Sequence, residues 1–347
     1  MEARIKAGPL LVDEPIKKGR LVTAIEAVVT EGSGLLPPVK VMRVSFTTRD
    51  EQCNVIVNKN GKPVVTKKEY DHVITTIPLT TLRTLDIDNA RLNFKQKTAL
   101  RILQYGPSIK VGIKFTKNWW KDINIKGGQS YADRCIRAVV YPSYGLPDAV
   151  GPTAVLIASY CWTHDAVRMG ALINAGPEAD MRLKDLVLRD LAVIHNLDYE
   201  FLAGLYVEHF AFDWTHNPLT QGAFAFFGPG EFSTVYESLN SFAADGHLHF
   251  AGEAISTRHA WVVGALDSAW RAVLEMLQLS YHDKIDEFNR LWGRNLEWVI
   301  DQTGTMIPPP DGKGPLGIPG SGLEDDLLLK HMMNQNLEFF RQQVPSS

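Results

Sequence analysis

The chain has 347 residues, 45% of them hydrophobic and 22% charged, a globular profile with room for two domains and their own cores. Its net charge of −3 gives no electrostatic footprint for nucleic acid or an acidic membrane surface, and no apolar run approaches the ~20 residues of a membrane-spanning helix. The scattered Cys53, Cys135 and Cys161 form neither a disulfide framework nor a paired-cysteine zinc or redox site, and Met1–Lys6 lacks the apolar core of a signal peptide, so a reducing compartment, the cytoplasm, is favoured.

Residues 21–80 read as β-rich. Val22, Val28 and Val29 open the region, and Val39–Phe46 is a strand candidate bounded by turn signals at Gly32-Ser-Gly34 and Pro37-Pro38. Gly61-Lys-Pro63 marks another turn. Asp71–Pro78 is a short β-branched run stopped by proline, the pattern of a buried strand, and Leu79–Leu85 leaves it as a helical turn. Phe94–Leu103 has helical propensity. Ile109, Val111, Ile113 and Phe115 then alternate with Lys110, Gly112 and Lys114, which predicts a half-buried antiparallel strand. Further strands are expected over Thr153–Tyr160, Leu205–Phe212 and Gly222–Phe227. Met181–Asn196 reads as an amphipathic helix with Leu183, Leu186, Val187 and Ile194 on one side. The middle of the chain thus predicts a mixed sheet with a helical insertion.

A last strand, His247–Ala251, feeds a helix from about Trp261 to Leu279 whose Val262, Ala265, Leu266, Ala269, Val273, Met276 and Leu277 keep helical spacing. Another helix is expected over Tyr281–Gln302, a Pro/Gly linker over 307–322 and an amphipathic helix over Leu323–Val344. No internal repeat is visible. The informative stretch is His249-Phe-Ala-Gly-Glu253-Ala-Ile-Ser-Thr-Arg-His259-Ala-Trp261-Val-Val. A strand ending in Gly252-Glu253, a loop and a helix mouth present backbone N–H groups and the positive end of a helix dipole to an electron-rich ligand.

That stretch resembles the C-terminal FAD-binding segment of the flavin amine oxidases, and its Ala-Gly-Glu…His-Ala-Trp form is similar to the L-amino acid oxidases. Three more blocks carry the resemblance in the same order: Lys18-Gly-Arg-Leu-Val22-Thr-Ala-Ile-Glu26, Tyr70-Asp-His-Val-Ile-Thr-Thr-Ile-Pro-Leu79, and Gln104-Tyr-Gly-Pro-Ser-Ile-Lys110-Val-Gly-Ile-Lys-Phe-Thr-Lys-Asn-Trp-Trp120. Lys126–Tyr131, Tyr141–Tyr144 and Gly222–Phe232 resemble the fungal and bacterial oxidases. The likeness covers roughly residues 18–280. It implies an α/β (α+β mixed) fold: a partial, Rossmann-like FAD-binding domain of the GR2 type and a substrate domain with a mixed sheet and helices. The expected parts are 1–90 for the second part of the FAD domain, 91–245 for the substrate domain, 246–280 for the C-terminal FAD-binding strand and helix, and 281–347 for a helical tail.

No side chain accepts hydride, so the redox step belongs to a cofactor; by resemblance it is FAD, which oxidises an L-amino acid to an imino acid that hydrolyses to a 2-oxo acid and ammonia, with O2 reduced to hydrogen peroxide. Read from spacing alone, Lys110 is a solvated lysine on a half-exposed strand. The resemblance makes it the active-site lysine that holds a water beside the flavin. It also implies that Trp261, Val262 and Ala265 at the helix mouth, Gly252, Glu253 and Val22 bind FAD. Tyr160 resembles the tyrosine whose hydroxyl holds the substrate carboxylate, while Trp162, Phe226, Ala260 and Trp261 are candidate walls of the substrate pocket.

One departure stands out. The family opens its FAD domain with strand–GxGxxG–helix and an acidic residue ~20 positions later, and this sequence has no such element. The arginine that holds the carboxylate in relatives belongs to the same absent portion. The chain therefore reads as the C-terminal part of an oxidase, with a separate N-terminal chain or a homo-oligomer as the expected partner, or as a non-catalytic truncated remnant. An amine or polyamine oxidase or an amino acid 2-monooxygenase of the same fold is the alternative enzyme. His247 and His249 share a strand face, but zinc sites show tighter ligand pairs with Cys or Glu partners, and no metal is expected. A Ser/His/Asp hydrolase lacks its Gly-x-Ser-x-Gly elbow here.

Overall fold

The structure is a computed structural model of the chain and describes residues 16–31, 37–143, 154–293 and 295. The turn expected at Gly32-Ser-Gly34, Tyr144, the linker over 307–322, the final helix and the later part of the helix expected over 281–302 lie outside the described residues. Two compact units are formed, one from residues up to Ile102 together with those from Pro229 onward, the other from Leu103–Gly228. In the first unit, β1 (Arg20–Val29), β2 (Val39–Thr48) and β3 (Val65–Tyr70) make an antiparallel meander. They are followed by β4 (Val73–Thr75), α1 (Leu79–Leu82) and α2 (Phe94–Ile102). The second unit contains β5 (Tyr105–Gly106), β6 (Ser108–Phe115), α3 (Trp119–Asp122), β7 (Gly128–Tyr131), β8 (Ala138–Tyr141), β9 (Ala154–Trp162), α4 (Thr163–Gly170), α5 (Pro177–His195), α6 (Tyr199–Leu205), β10 (Tyr206–Asp213) and β11 (Phe224–Ala225). The chain returns to the first unit with α7 (Glu231–Thr234), β12 (Leu248–Phe250), α8 (Val262–Ser280) and α9 (Ile285–Trp292).

The sheet of the second unit runs β10-β6-β9-β8-β7. Every one of its strand pairs is antiparallel, where the sequence led us to expect a mixed sheet. A parallel pair needs a long crossover, whereas a short turn such as that between β7 and β8 only reverses the chain. One face of the sheet is dry: Ile109, Val111, Ile113 and Phe115 of β6 are at most 1% exposed. It packs on Leu183, Val187, Leu188 and Leu191 of α5 in a single apolar cluster. That helix starts four residues before the expected Met181, at Pro177, where a missing N–H costs nothing. Glu178 and Asp180 complement the helix dipole in its first turn, and Asn196 ends it in the left-handed conformation. On the other face, Lys110, Gly112 and Lys114 are partly exposed.

β9 carries a bulge. Val111 pairs with Ser159 and Gly112 with Ile157, which leaves Ala158 as an extra residue. The side-chain alternation therefore flips parity at that point. Before the bulge Val155 and Ile157 share the exposed face; after it Tyr160 and Trp162 do. Ser159 and Cys161 turn inward, and burial pushes the Cys161 thiol up to about 12.

In the first unit, β4 and β12 pair in parallel across more than 170 positions, with Val73 N–H donating to the His247 carbonyl at 2.8 Å and Ala251 N–H to the Thr75 carbonyl at 2.9 Å. The expected strand over 71–78 is thus three residues long. A two-stranded pair is marginal by itself, and α8 holds it in place. Arg271, fully buried, donates to the Phe250 carbonyl, to the Asn240 carbonyl at 2.9 Å and to Glu275 Oε1 at 3.0 Å. His249 Nδ1–H donates to Glu275 Oε2 at 2.8 Å. Arg271→Leu leaves the Glu275 carboxylate without its cation, and a broken buried pair costs about 3–5 kcal/mol; a fall of that size in urea unfolding of the first unit is expected.

A histidine group sits at the same edge. His72 Nδ1–H donates to the Gly246 carbonyl at 3.0 Å and its Nε2 accepts from Ser280 Oγ at 2.8 Å, with the His247 and His249 rings 5.3 Å and 5.6 Å away. Burial first, then the two neighbouring imidazoles, holds His72 below its ordinary 6.5. Between 6.5 and that lowered value the unfolded chain binds a proton that the folded one refuses, so stability falls as the pH drops below 6.5. The urea midpoint measured between pH 8 and pH 5 should decline, and His72→Gln should flatten part of that decline.

Candidate functional site

Within the first unit, the residues expected to hold a cofactor gather around one loop. Gly252 has φ 139° and ψ 169°, a backbone region open essentially only to glycine, and a Cβ built there would meet no atom within 4 Å. The Ser268 hydroxyl of α8 accepts the Gly252 N–H at 2.8 Å and lies 2.8 Å from its carbonyl. Glu253 Oε2 accepts from the Ala260 N–H at 2.8 Å and closes the loop on itself. Ala260 has φ 63°, a strained conformation for a residue with a Cβ. Arg258 pairs with Asp267 at 3.0 Å and straps the loop to α8. Gly264 takes the close approach: a Cβ there would lie 2.2 Å from Ser256 Oγ and 2.3 Å from the Arg258 carbonyl.

Trp261, the N-cap of α8, makes no side-chain cap hydrogen bond, so the helix's positive end lies at this loop without a cap from its own N-cap residue. Trp261 and Val262 beside it are 55% and 78% exposed, and Ala265 sits half-buried one turn further in. These features fit a flavin nucleotide: space beside a glycine, an uncapped helix end for polar or anionic atoms, and apolar side chains to cover a flat ring. Val22, half-buried in β1, stands where the strand shifts register between Val22 and Ala24. His249 of β12 is engaged with Glu275 and His72, and His247 just before it with the Asp71 carbonyl, and among the described residues no group of three or more His, Cys, Asp or Glu could hold a metal.

Within the second unit, a single row crosses the whole five-stranded sheet: Phe212, Lys110, Tyr160, Ala138 and Tyr131, each opposite the next. Directly opposed residues share a face. The Lys110 ammonium lies 4.7 Å from the centroid of Tyr160 and 5.5 Å from that of Trp214, within cation–π range of both. Trp162 packs edge-on against Tyr160 at 5.1 Å, and Trp214 against Phe212 at 4.7 Å. Lys110, Tyr160 and Trp162 are therefore brought together as one lysine in an aromatic surround. Phe226 is not on this row; it follows β11 on a separate ribbon with β5, 63% exposed, its N–H donating to the Gln104 carbonyl at 2.9 Å. The sequence reading missed Phe212, Trp214 and Tyr131. The alternation Phe210-Ala-Phe212-Asp-Trp214 marks the first two, and the expected strand ended before Trp214.

The chain thus carries a glycine-ended strand feeding a helix mouth in one unit and a lysine among aromatic rings on a partly exposed sheet face in the other. A family profile described as flavin containing amine oxidoreductase matches residues 16–277. The chain belongs to that family.

L-amino-acid oxidase 4 of Hebeloma cylindrosporum is 52% identical over 272 residues, 74% of this chain and 42% of that protein. An L-amino-acid oxidase of Siganus canaliculatus is 33% identical over 219 residues, 63% of this chain and 39% of that protein. Among solved structures, cyclohexylamine oxidase from Brevibacterium oxydans IH-35A superposes with a TM-score of 0.52 at 14% identity, over 75% of this chain and 48% of that one, a likeness of fold. The chain thus spans less than half the length of these relatives.

Gly264→Ala tests the loop. The added methyl meets backbone and must push residues 256–260 away from α8, at about 1–3 kcal/mol. A urea midpoint lowered by that amount, with flavin uptake weakened, is the expected result.

Proposed function

We propose that the chain is the C-terminal part of an FAD-dependent L-amino acid oxidase, converting an L-amino acid, O2 and water to a 2-oxo acid, ammonia and hydrogen peroxide. The observation that carries this reading is the placement of Lys110 between Tyr160 and Trp214 on the exposed face of the sheet. A bound flavin supplies the hydride acceptor that no side chain can provide. The rest falls to this chain's own groups. The Tyr160 hydroxyl donates to the substrate carboxylate, and the nearby Lys110 ammonium adds a favourable charge to that anion. Lys110 also orients a water by donating to its oxygen. Trp162 shields these polar contacts from bulk solvent, which strengthens them. In the first unit, Gly252, Glu253, Trp261, Val262 and Ala265 hold the cofactor, with Val22 as a further contact. The dipole of α8 stabilises negative charge on it by about 1 kcal/mol. Phe226 and Ala260 are proposed walls for the substrate.

The 52% identity to an L-amino-acid oxidase favours an amino acid over a simple amine as substrate. The phenol of Tyr160 does the same, since a carboxylate needs a donor. A separate N-terminal chain or a homo-oligomer is the partner proposed with this reading. The free Cys53, Cys135 and Cys161 favour a reducing compartment, the cytoplasm. No helix among the described residues is long and apolar enough to cross a membrane.

The test is made on the chain alone and on the chain mixed with a polypeptide matching the remaining half of the oxidase relatives. Flavin absorption bands that stay with the protein, together with peroxide formed from L-amino acids, support the reading. A protein that stays colourless under both conditions makes it a remnant. In the flavin-loaded protein, Lys110→Met should lower turnover by ~10²-fold or more with flavin content unchanged; unaltered turnover removes Lys110 from the chemistry.

A further inference from the structure

Residues beyond the matched span of 16–277 come back to the cofactor loop. Phe288, the buried residue of α9, packs on Trp270 of α8 with ring centroids 5.4 Å apart. Gly293 then turns the chain with φ 68° and ψ −163°, a conformation that favours glycine. Its carbonyl accepts from the Trp270 indole Nε1–H at 3.3 Å. Two residues later, Asn295 Nδ2–H donates to Asp267 Oδ1 at 2.8 Å. The contacts thus climb α8 by about one turn, from Trp270 to Asp267, toward its mouth. None of Asn295, Asp267 and Arg258 is used by the oxidase chemistry derived above.

Asp267 is a shared carboxylate. Its Oδ2 accepts from Arg258 Nη1 at 3.0 Å, and its Oδ1 from Asn295. One donor belongs to the loop, the other to the segment after α9. A partly exposed ion pair is weak chiefly because two long side chains must be held in one geometry. Here the amide on Oδ1 holds the carboxylate, so that Oδ2 stays aimed at Arg258. Arg258 in turn is tied into the loop: its N–H donates to Ser256 Oγ at 3.0 Å, and Ser256 Oγ–H to the Glu253 carbonyl at 2.9 Å. Two positions on stands Ala260 with its φ of 63°. A positive φ at an alanine persists only where the surroundings over-determine it. The bond from Glu253 Oε2 fixes Ala260 from inside the loop; the Asp267 link fixes it from outside.

We infer that Asn295 is a positioning residue: through Asp267 and Arg258 it clasps the loop, so that the segment after α9 sets how firmly residues 253–261 hold the cofactor. The identity of the loop's ligand as a flavin rests on the oxidase reading; the clasp itself does not.

The experiment uses the whole chain and two readouts. The first needs no flavin: trypsin digestion followed in time by mass spectrometry. Trypsin cuts the Arg258–His259 bond only when the guanidinium leaves Asp267 and the loop opens locally. It cuts the Arg101–Ile102 bond at the end of α2, in the same unit, only when that helix unfolds. Asn295→Ala should speed the first cut about tenfold, the weight of one hydrogen bond to a charged group, and leave the second unchanged. Asn295→Gln keeps an amide and should restore part of the protection. In an Asp267→Ala background, Asn295→Ala should add nothing, because the link is already gone. A cut at Arg258 indifferent to Asn295→Ala, equal acceleration at both bonds, or full additivity in the double variant overturns the clasp. The second readout is the rate at which FAD leaves the flavin-loaded protein, followed by flavin fluorescence. It should rise about tenfold in Asn295→Ala, with Asn295→Gln in between. A release rate unchanged by a substitution that does open the loop overturns the clasp's hold on the cofactor. Loop protection that follows Asn295 in a chain that never takes up flavin, alone or with an N-terminal polypeptide, keeps the clasp and discards the oxidase.

Discussion

The single extra residue at Ala158 decides what the second unit can do. Side chains on a strand alternate with a period of two, so an inserted residue exchanges the faces of everything beyond it. Without the bulge, Tyr160 and Trp162 would point into the cluster under α5, and Ser159 and Cys161 would stand beside Lys110. With it, the Ser159 hydroxyl donates inward to the Ile136 carbonyl at 3.0 Å, and two aromatic rings join the lysine on the exposed face. The cost of an interrupted ladder is small beside the alternative, a tyrosine hydroxyl and an indole N–H buried among apolar side chains without partners. The bulge therefore serves packing and site at once.

The first unit faces a different problem. Its parallel strand pair is too narrow to be stable alone, yet β12 must end at a defined point for the Gly252 loop to reach the mouth of α8. A fully buried arginine solves it. Arg271 reads two backbone carbonyls, of Asn240 and Phe250, from a position on the helix, and Glu275 one turn later neutralises it while taking the His249 N–H. Strand, helix and preceding turn are thereby fixed in register by directional bonds, where apolar contact alone would permit sliding. Ser268, one turn before Arg271, extends the same lock to Gly252. The helix face that grips the strand and the helix end that opens the loop are thus parts of one rigid element.

Much of this was legible from the residues. Strict alternation over Ile109–Phe115 gave the strand and the exposed side of Lys110, because one dry face leaves a period-two signature. The spacing of Val262 to Leu277 gave α8, and the Gly252-Glu253 turn gave its mouth. Less visible were contacts whose partners lie far apart in sequence. Glu275 and Arg271 show only as two charges in an apolar helix, and nothing local says that they face a strand end. The bulge is silent as well, since Ala158 among Leu156, Ile157 and Cys161 reads as uninterrupted strand. The antiparallel character of the sheet followed from the alternation but was obscured by the helices lying between its strands in sequence. The roles of Lys110, Tyr160 and Trp261 came from the likeness to a family; spacing alone would have left a surface lysine and two core aromatics.

Each unit completes its own apolar core while leaving large apolar side chains in solvent, and some of those exposed residues are grouped. In the second unit Phe210, Tyr131 and Trp162 share the face that carries Lys110; in the first, Trp261, Val262 and Leu266 cluster on the opening turns of α8. Stability does not ask for them there, since contiguous exposed apolar surface favours association over solubility. Chain economy does not explain them either, because alanine or a polar residue would serve each fold as well. What these surfaces have in common is a polar centre that they surround: an ammonium in one case, an uncapped helix end in the other. An apolar rim around a fixed charge or dipole is how a protein lowers the local dielectric for a ligand that must be both gripped and kept dry. The same arrangement, an apolar rim beside a fixed charge or dipole, occurs in both units.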